Sequence, residues 1–97
     1  MQVLKTKEFV KDVNMAKDPI LGVAVTSRIE RLLYGNFGDT KSVGDGVSEL
    51  RIHYGAGYRM YYSMRGKEIV LLLCAGSKSD QKKDIERAKE INKRTAI

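Results

Sequence analysis

A single cysteine, a single histidine and no tryptophan occur in the 97-residue chain, and these shortages exclude several kinds of protein. Cys74 has no second cysteine to pair with, so an internal disulfide is excluded. With His53 it also falls short of the donors a structural zinc site needs. It lies in the apolar run Ile69 to Ala75, where a thiol packs as a small hydrophobe. No apolar stretch approaches the roughly 20 residues that span a bilayer. Met1 to Thr6 is too short and too polar for a secretory signal, so a cytoplasmic protein is expected. There are no internal repeats and no low-complexity tract. Gly44-Asp45-Gly46 is no phosphate loop either, since no Gly-Lys-Ser/Thr follows it.

What is present suits one small domain over residues 1–97, with no internal boundary. At 42% hydrophobic the chain buries a modest core, enough to fold without metals or disulfides. Its net charge of +6 favours an acidic partner, either nucleic acid or an acidic protein.

Met1 to Leu4 reads as a short edge strand. Thr6 caps a helix whose apolar positions Phe9, Val10 and Val13 keep helical spacing. Asp18-Pro19 restarts the chain with an N-cap and a proline at the first helical position, where its missing N–H costs little. Leu21, Val25, Ile29, Leu32 and Leu33 then trace one stripe, and Gly35 closes that helix. The short connection between the two helices predicts an antiparallel pair. Asn36 to Gly46, rich in glycine, reads as loop. Three strands follow, about Val47 to Tyr54, Tyr58 to Met64 and Glu68 to Ala75, joined at Gly55-Ala56-Gly57 and Arg65-Gly66-Lys67. The third is apolar almost throughout and should be covered on both faces. Ser79 caps a last helix from Asp80 to about Arg94, with Ile85, Ala88 and Ile91 inward. The expected fold is a small α+β domain: an N-terminal strand and helical pair, a three-stranded antiparallel meander and a C-terminal helix.

The first hairpin of that meander carries the chemistry. Alternation puts Leu50, Ile52 and Tyr54 on one face, with Glu49, Arg51 and His53 on the other. Past the turn, Tyr58, Met60, Tyr62 and Met64 share a face, opposite Arg59, Tyr61, Ser63 and Arg65. Same-face residues on paired strands lie about 5 Å apart, so Arg51 and Arg59 repel each other unless an anion or a carboxylate relieves them. Two readings stand side by side. In one, Glu49 relieves them and the face is an exposed, salt-bridged sheet surface. In the other, the exposed arginines are unneutralised and hold a phosphate of RNA. Cleavage by 2′-hydroxyl attack needs a base, cations to stabilise the phosphorane, and an acid for the leaving 5′-oxygen. Arginine forks match phosphate oxygens. His53 is suited to acid or base work, and Tyr61 to proton transfer or base stacking. Lys78, at a strand end beside a helix start, is either part of an anion site or a solvated loop lysine. Lys41, Lys82 and Lys83 are the lysines expected to attract RNA without sequence preference.

The run Arg28-Ile29-Glu30-Arg31-Leu32, then Gly35-Asn36-Phe37-Gly38-Asp39 and Val43 through Tyr54, resembles the addiction-module killer proteins. These belong to the RelE/ParE toxin superfamily, within its HigB-like, phage-derived branch. Gly57-Tyr58-Arg59, Leu71-Leu72-Leu73-Cys74, and Lys78-Ser79 with Gln81 and Asp84-Ile85 continue the likeness, which covers roughly residues 20 to 92. The resemblance implies a compact RelE-like toxin, neutralised by a helix-turn-helix antitoxin encoded beside it. It further implies ribosome-dependent mRNA cleavage needing neither metal nor cofactor. It sets Arg51 and Arg59 on the scissile phosphate and Lys78 as a further active-site cation. RelE-type enzymes also carry a tyrosine near the C-terminal helix. No tyrosine follows Tyr62 here, so another group or water must move that proton. The ParE branch shares the fold but is associated with gyrase inhibition, and a degenerate toxin that only binds its antitoxin is a third possibility.

Overall fold

The computed structural model describes residues 1–96. One five-stranded sheet forms its middle layer. The elements run β1 (Gln2–Lys5), α1 (Lys7–Ala16), α2 (Pro19–Leu33), β2 (Thr40–Gly44), β3 (Val47–Ile52), β4 (Tyr58–Arg65), β5 (Ile69–Ser77), a 3₁₀ turn (Lys78–Asp80) and α3 (Gln81–Arg94). The strand order is β1-β5-β4-β3-β2, with β1 parallel to β5 and all other pairs antiparallel. The α+β class and the edge position of β1 agree with the sequence.

The meander is longer than expected by one strand. Thr40–Gly44, read as loop, pairs with β3 as an edge strand, Thr40 opposite Leu50 and Lys41 opposite Glu49. Four of its five residues are exposed, so it lacks the apolar alternation by which strands are recognised.

Local signals set the helix ends as expected. The Thr6 hydroxyl accepts from Phe9 N–H at 3.0 Å and donates to the Leu73 carbonyl at 2.7 Å, joining the start of α1 to β5. Asp18 Oδ1 accepts from Ile20 and Leu21 N–H ahead of Pro19. Gly35, at φ +79°, ends α2, its N–H bonding Leu32 O while Asn36 N–H bonds Arg31 O. This pair of hydrogen bonds satisfies the Leu32 and Arg31 carbonyls at the helix end and needs a left-handed residue. Ser79, by contrast, does not cap α3: it sits within the 3₁₀ turn, its hydroxyl 2.9 Å from that of Ser77.

The sheet separates two cores. On one side Phe9 from α1 and Leu21, Val25 and Leu32 from α2 pack on Leu50, Ile52, Tyr58, Met60, Tyr62, Val70, Leu72 and Ala75. On the other, Ala88 and Ile91 of α3 pack on Val47, Tyr61, Leu71, Leu73 and Cys74. β5 is covered on both faces, as its composition requires. A bulge lies where Tyr61 pairs with Cys74 but Tyr62 with Leu72. The extra residue, Leu73, puts two neighbours, Leu73 and Cys74, into the α3-side core. Burial pushes the Cys74 thiol up to about 12, so it is inert packing.

Candidate functional site

The ladder places Arg51 opposite Arg59 and Glu49 opposite Tyr61. Paired residues share a face, so all four lie on the α3 side of the sheet. The arginines stand at the end of the hairpin nearest its turn, where Arg51, His53, Gly57, Arg59 and Lys78 line a cavity of about 370 Å³. Gly57 makes that closure possible. It sits at φ +100°, its carbonyl accepts Lys78 N–H at 3.2 Å, and a Cβ there would stand 3.2 Å from Arg59 Nη1. Sequence reasoning named Arg51, His53, Arg59 and Lys78, and the fold brings these four together.

A second loop braces the rim. Arg28 reaches from α2 to donate to the carbonyls of Arg51 at 2.7 Å and Phe37 at 3.2 Å. Arg51 N–H donates to the Asp39 carbonyl at 2.9 Å. These bonds carry the Asp39 side chain to the pocket, its Oδ2 2.7 Å from His53 Nε2 and its Oδ1 3.9 Å from Arg51 Nη1. The His53 hydrogen bond, ahead of the nearby arginines, holds the Asp39 carboxyl below the usual carboxylate range. An ionised carboxylate only accepts. The neutral imidazole therefore carries its proton on Nε2 and leaves Nδ1 bare. His53 itself is 76% exposed, open to a large substrate.

Glu49 is the residue whose depth the sequence hides. Its side chain is 0% exposed, with Oε2 3.1 Å from Arg51 Nε and Oε1 accepting from Gln81 Nε2 at 2.6 Å. Arg59 Nε lies 3.5 Å from the same Oε1, close enough for charge attraction yet without hydrogen-bond geometry. A buried carboxylate is tolerated only with such partners. Glu49 thus relieves the repulsion between the two arginines and fixes where both point. Alternation assigned Glu49 to the right face, but only the descent of α3 over that face seals it from water.

Three expectations are corrected by this geometry. Arg59 is not a surface residue: its side chain is only 11% exposed, pressed between β4 and the Lys78 turn. The arginines are not unneutralised, because Glu49 pairs with both and Asp39 with Arg51. Tyr61 is not at the site at all. It is wholly buried in the α3-side core, its hydroxyl finds no hydrogen-bond partner, and burial drives its acidity far below that of a free phenol. It has no route to a substrate proton.

The expected RNA-binding lysines scatter. Lys41 is exposed on β2 opposite Glu49, on the arginine face of the sheet. Lys82 is exposed on α3, and Lys83 lines a different cavity, near α1. Lys78 is exposed and has no ion-pair partner among the described residues. No group of three or more His, Cys, Asp or Glu among the described residues is placed to hold a metal ion. No helix among them is long and apolar enough to cross a membrane.

Comparison with known proteins agrees with the phage-derived branch seen in the sequence. Residues 9–96 match the family described as "Phage derived protein Gp49-like (DUF891)". An uncharacterized protein of Haemophilus influenzae is 45% identical over 89 residues, covering 92% of this chain and 90% of that protein. Neither name carries an activity. The match spans nearly the whole fold, including β3, β4, the Lys78 turn and α3, and on that basis the chain belongs to the phage-derived Gp49-like family.

Proposed function

We propose that this protein is the toxin of a type II toxin–antitoxin module, an mRNA endoribonuclease that acts on the ribosome and arrests translation. The observation that carries the reading is the meeting of Arg51, His53, Arg59 and Lys78 around one open cavity. Family membership and the likeness to HigB-like killer proteins support it.

The cavity's three permanent cations, against Glu49 and Asp39, leave one net positive charge with His53 neutral and two with it protonated. That is enough to seat a phosphodiester without a metal. Arg51 and Arg59, held in place by Glu49, face charge that builds on the phosphorane oxygens, where preorganised donors act most strongly. His53, oriented by Asp39, offers Nδ1 to the attacking 2′-hydroxyl. Lys78 is the cation with a proton to give to the departing 5′-oxygen, and solvent restores it. Lys41, Lys82 and Lys83 add long-range attraction to RNA. The acidic or mixed surface of a helix-turn-helix antitoxin would offset the protein's charge, so complex formation should weaken in high salt.

One observation favours a competing reading. The internal carboxylates already answer the arginines, as they would in a toxin that has lost its chemistry and only binds its antitoxin. Primer extension on mRNA from cells induced for the protein separates the readings. Discrete cuts that vanish in Arg51→Ala or Lys78→Ala support the nuclease. Growth arrest with intact transcripts and stabilised gyrase–DNA complexes indicates a ParE-like inhibitor. No arrest from a folded protein indicates the inactive binder.

A further inference from the structure

A second cavity, of about 450 Å³, lies where β5 runs past the end of β1 and α1 meets α3. Beyond the long-range charge of Lys83 at its edge, nothing in the proposed cleavage uses it. Two of its lining residues hold polar atoms that the fold buries and leaves unpaired. The Asp84 side chain is 4% exposed; its Oδ1 accepts from Arg87 Nη1 at 3.0 Å, and its Oδ2 has no hydrogen-bond partner. Tyr58 is 6% exposed and its hydroxyl is likewise unpaired. Burying such atoms without partners is costly, and native folds rarely do it without a reason.

The surroundings define what would satisfy them. The buried donors are already committed, Arg87 bridging Asp84 to Asp12 at 2.8 Å and Ala75 N–H donating to Asp12 Oδ2 at 3.1 Å, while Lys83 is exposed and bonds neither Asp84 nor Tyr58. Asp84 Oδ2 stands over Gly76, where any Cβ would collide with it, so the backbone makes room for this carboxylate. Asp80 is a third lining carboxylate, and Lys83 and Arg87 are the lining cations. Three negative charges against two make this an acidic pocket on a chain of net charge +6. An ionised carboxylate oxygen only accepts, so the missing partner is a donor, and the local charge asks for a cation. Met15 and Ala16 supply an aliphatic wall. The carboxylates are not grouped as metal ligands would be.

We propose that this cavity binds an alkylguanidinium or alkylammonium group, which donates to Asp84 Oδ2 and the Tyr58 hydroxyl. Its source is either a free small amine or guanidine, or an arginine or lysine side chain of a partner protein. The proposal does not depend on nuclease activity.

The full chain would be titrated with n-butylguanidinium and n-butylammonium chloride, observed by backbone amide NMR. Saturable shifts centred on Asp12, Tyr58, Gly76 and Asp84 are expected, with little change at Arg51 or His53. Tetramethylammonium, which carries charge but no N–H, should bind at least tenfold more weakly. Tyr58→Phe, which keeps the ring and removes only the hydroxyl, should weaken binding severalfold, and Asp84→Asn at least tenfold. If Asp84→Asn fails to fold, Tyr58→Phe and the wild-type shift map still decide. Tighter binding of acetyl-Ala-Arg-Ala-amide than of butylguanidinium identifies a protein side chain as the source; equal or weaker binding identifies a free small cation. Absence of saturable shifts, equal binding of tetramethylammonium, or a response to magnesium chloride alone would overturn the assignment.

Discussion

The two faces of the sheet share one alternating pattern yet are stabilised by different physics. On the α1–α2 side the buried groups are hydrocarbon and aromatic, and the deeply placed Tyr62 hydroxyl is satisfied at 2.8 Å by Thr40. On the α3 side a smaller apolar cluster gives way, toward the hairpin turn, to Glu49, the arginines and Gln81, with Asp84 and Arg87 beyond. The first face holds the protein together. The second accepts buried charge, and charge organised at one end of a sheet is what a polyanion site requires.

This contrast can be broken at several points. Leu72→Ala on the hydrocarbon face should cost most, about 4 kcal/mol, from lost burial plus the cavity left behind. Urea denaturation would show it, and any activity should fall only in proportion to unfolded protein. Glu49→Ala should cost less, about 3 kcal/mol, near the low end for breaking a buried pair because Arg51 is half-exposed. Unlike Leu72→Ala, it should abolish toxicity even in the folded fraction, since both arginines lose their anchor. A double-mutant cycle with Arg59→Ala should show less than additive loss.

The two adjacent tyrosines sharpen the comparison further. Tyr62→Phe removes a hydroxyl hydrogen-bonded to Thr40, which keeps its bond to the Glu49 carbonyl, and should cost about 1 kcal/mol, whereas Tyr61→Phe removes an unpaired hydroxyl and should leave stability unchanged or raised by up to about 1 kcal/mol. Tyr61→Phe should also keep full toxicity; loss of activity in a stable Tyr61→Phe protein would overturn its placement in the core. The smallest effect is electrostatic. Because the Asp39 carboxyl sits below its ordinary value, its pairing helps the fold above an unfolded pKa near 3.9 and is lost as pH falls through the lowered folded value. His53→Ala should move the Asp39 titration, followed by carboxyl NMR, back toward the ordinary value.

Much of this was legible in the chain. Thr6, Asp18-Pro19 and Gly35 announced the helix ends through side-chain and backbone chemistry that acts within a few residues. The apolar run of β5 announced burial on both faces. Alternation also assigned Arg51, His53 and Arg59 to one surface, and the strand end brought Lys78 beside them. What alternation lacks is depth. It gives a face but not the helix that will cover part of it, so Tyr61 and Glu49 looked as accessible as Arg51. Strand β2 escaped notice for the opposite reason: at a wet edge no apolar period is demanded. The roles of Asp39 and Gln81 depend on a loop and a helix arriving from elsewhere, which no local pattern records.

The parallel pairing of β1 with β5 also dictates an order of assembly. Gln2–Lys5 has no partner strand to join until Ile69–Leu72 has been made, and such distant pairings form late because a long chain segment must first be closed. Lys78 and Gln81 lie later still. A nascent chain therefore carries Arg51 and Arg59 before Lys78 and Gln81 exist, and the cavity and its Glu49 anchor close only once the segment beyond β5 has been made.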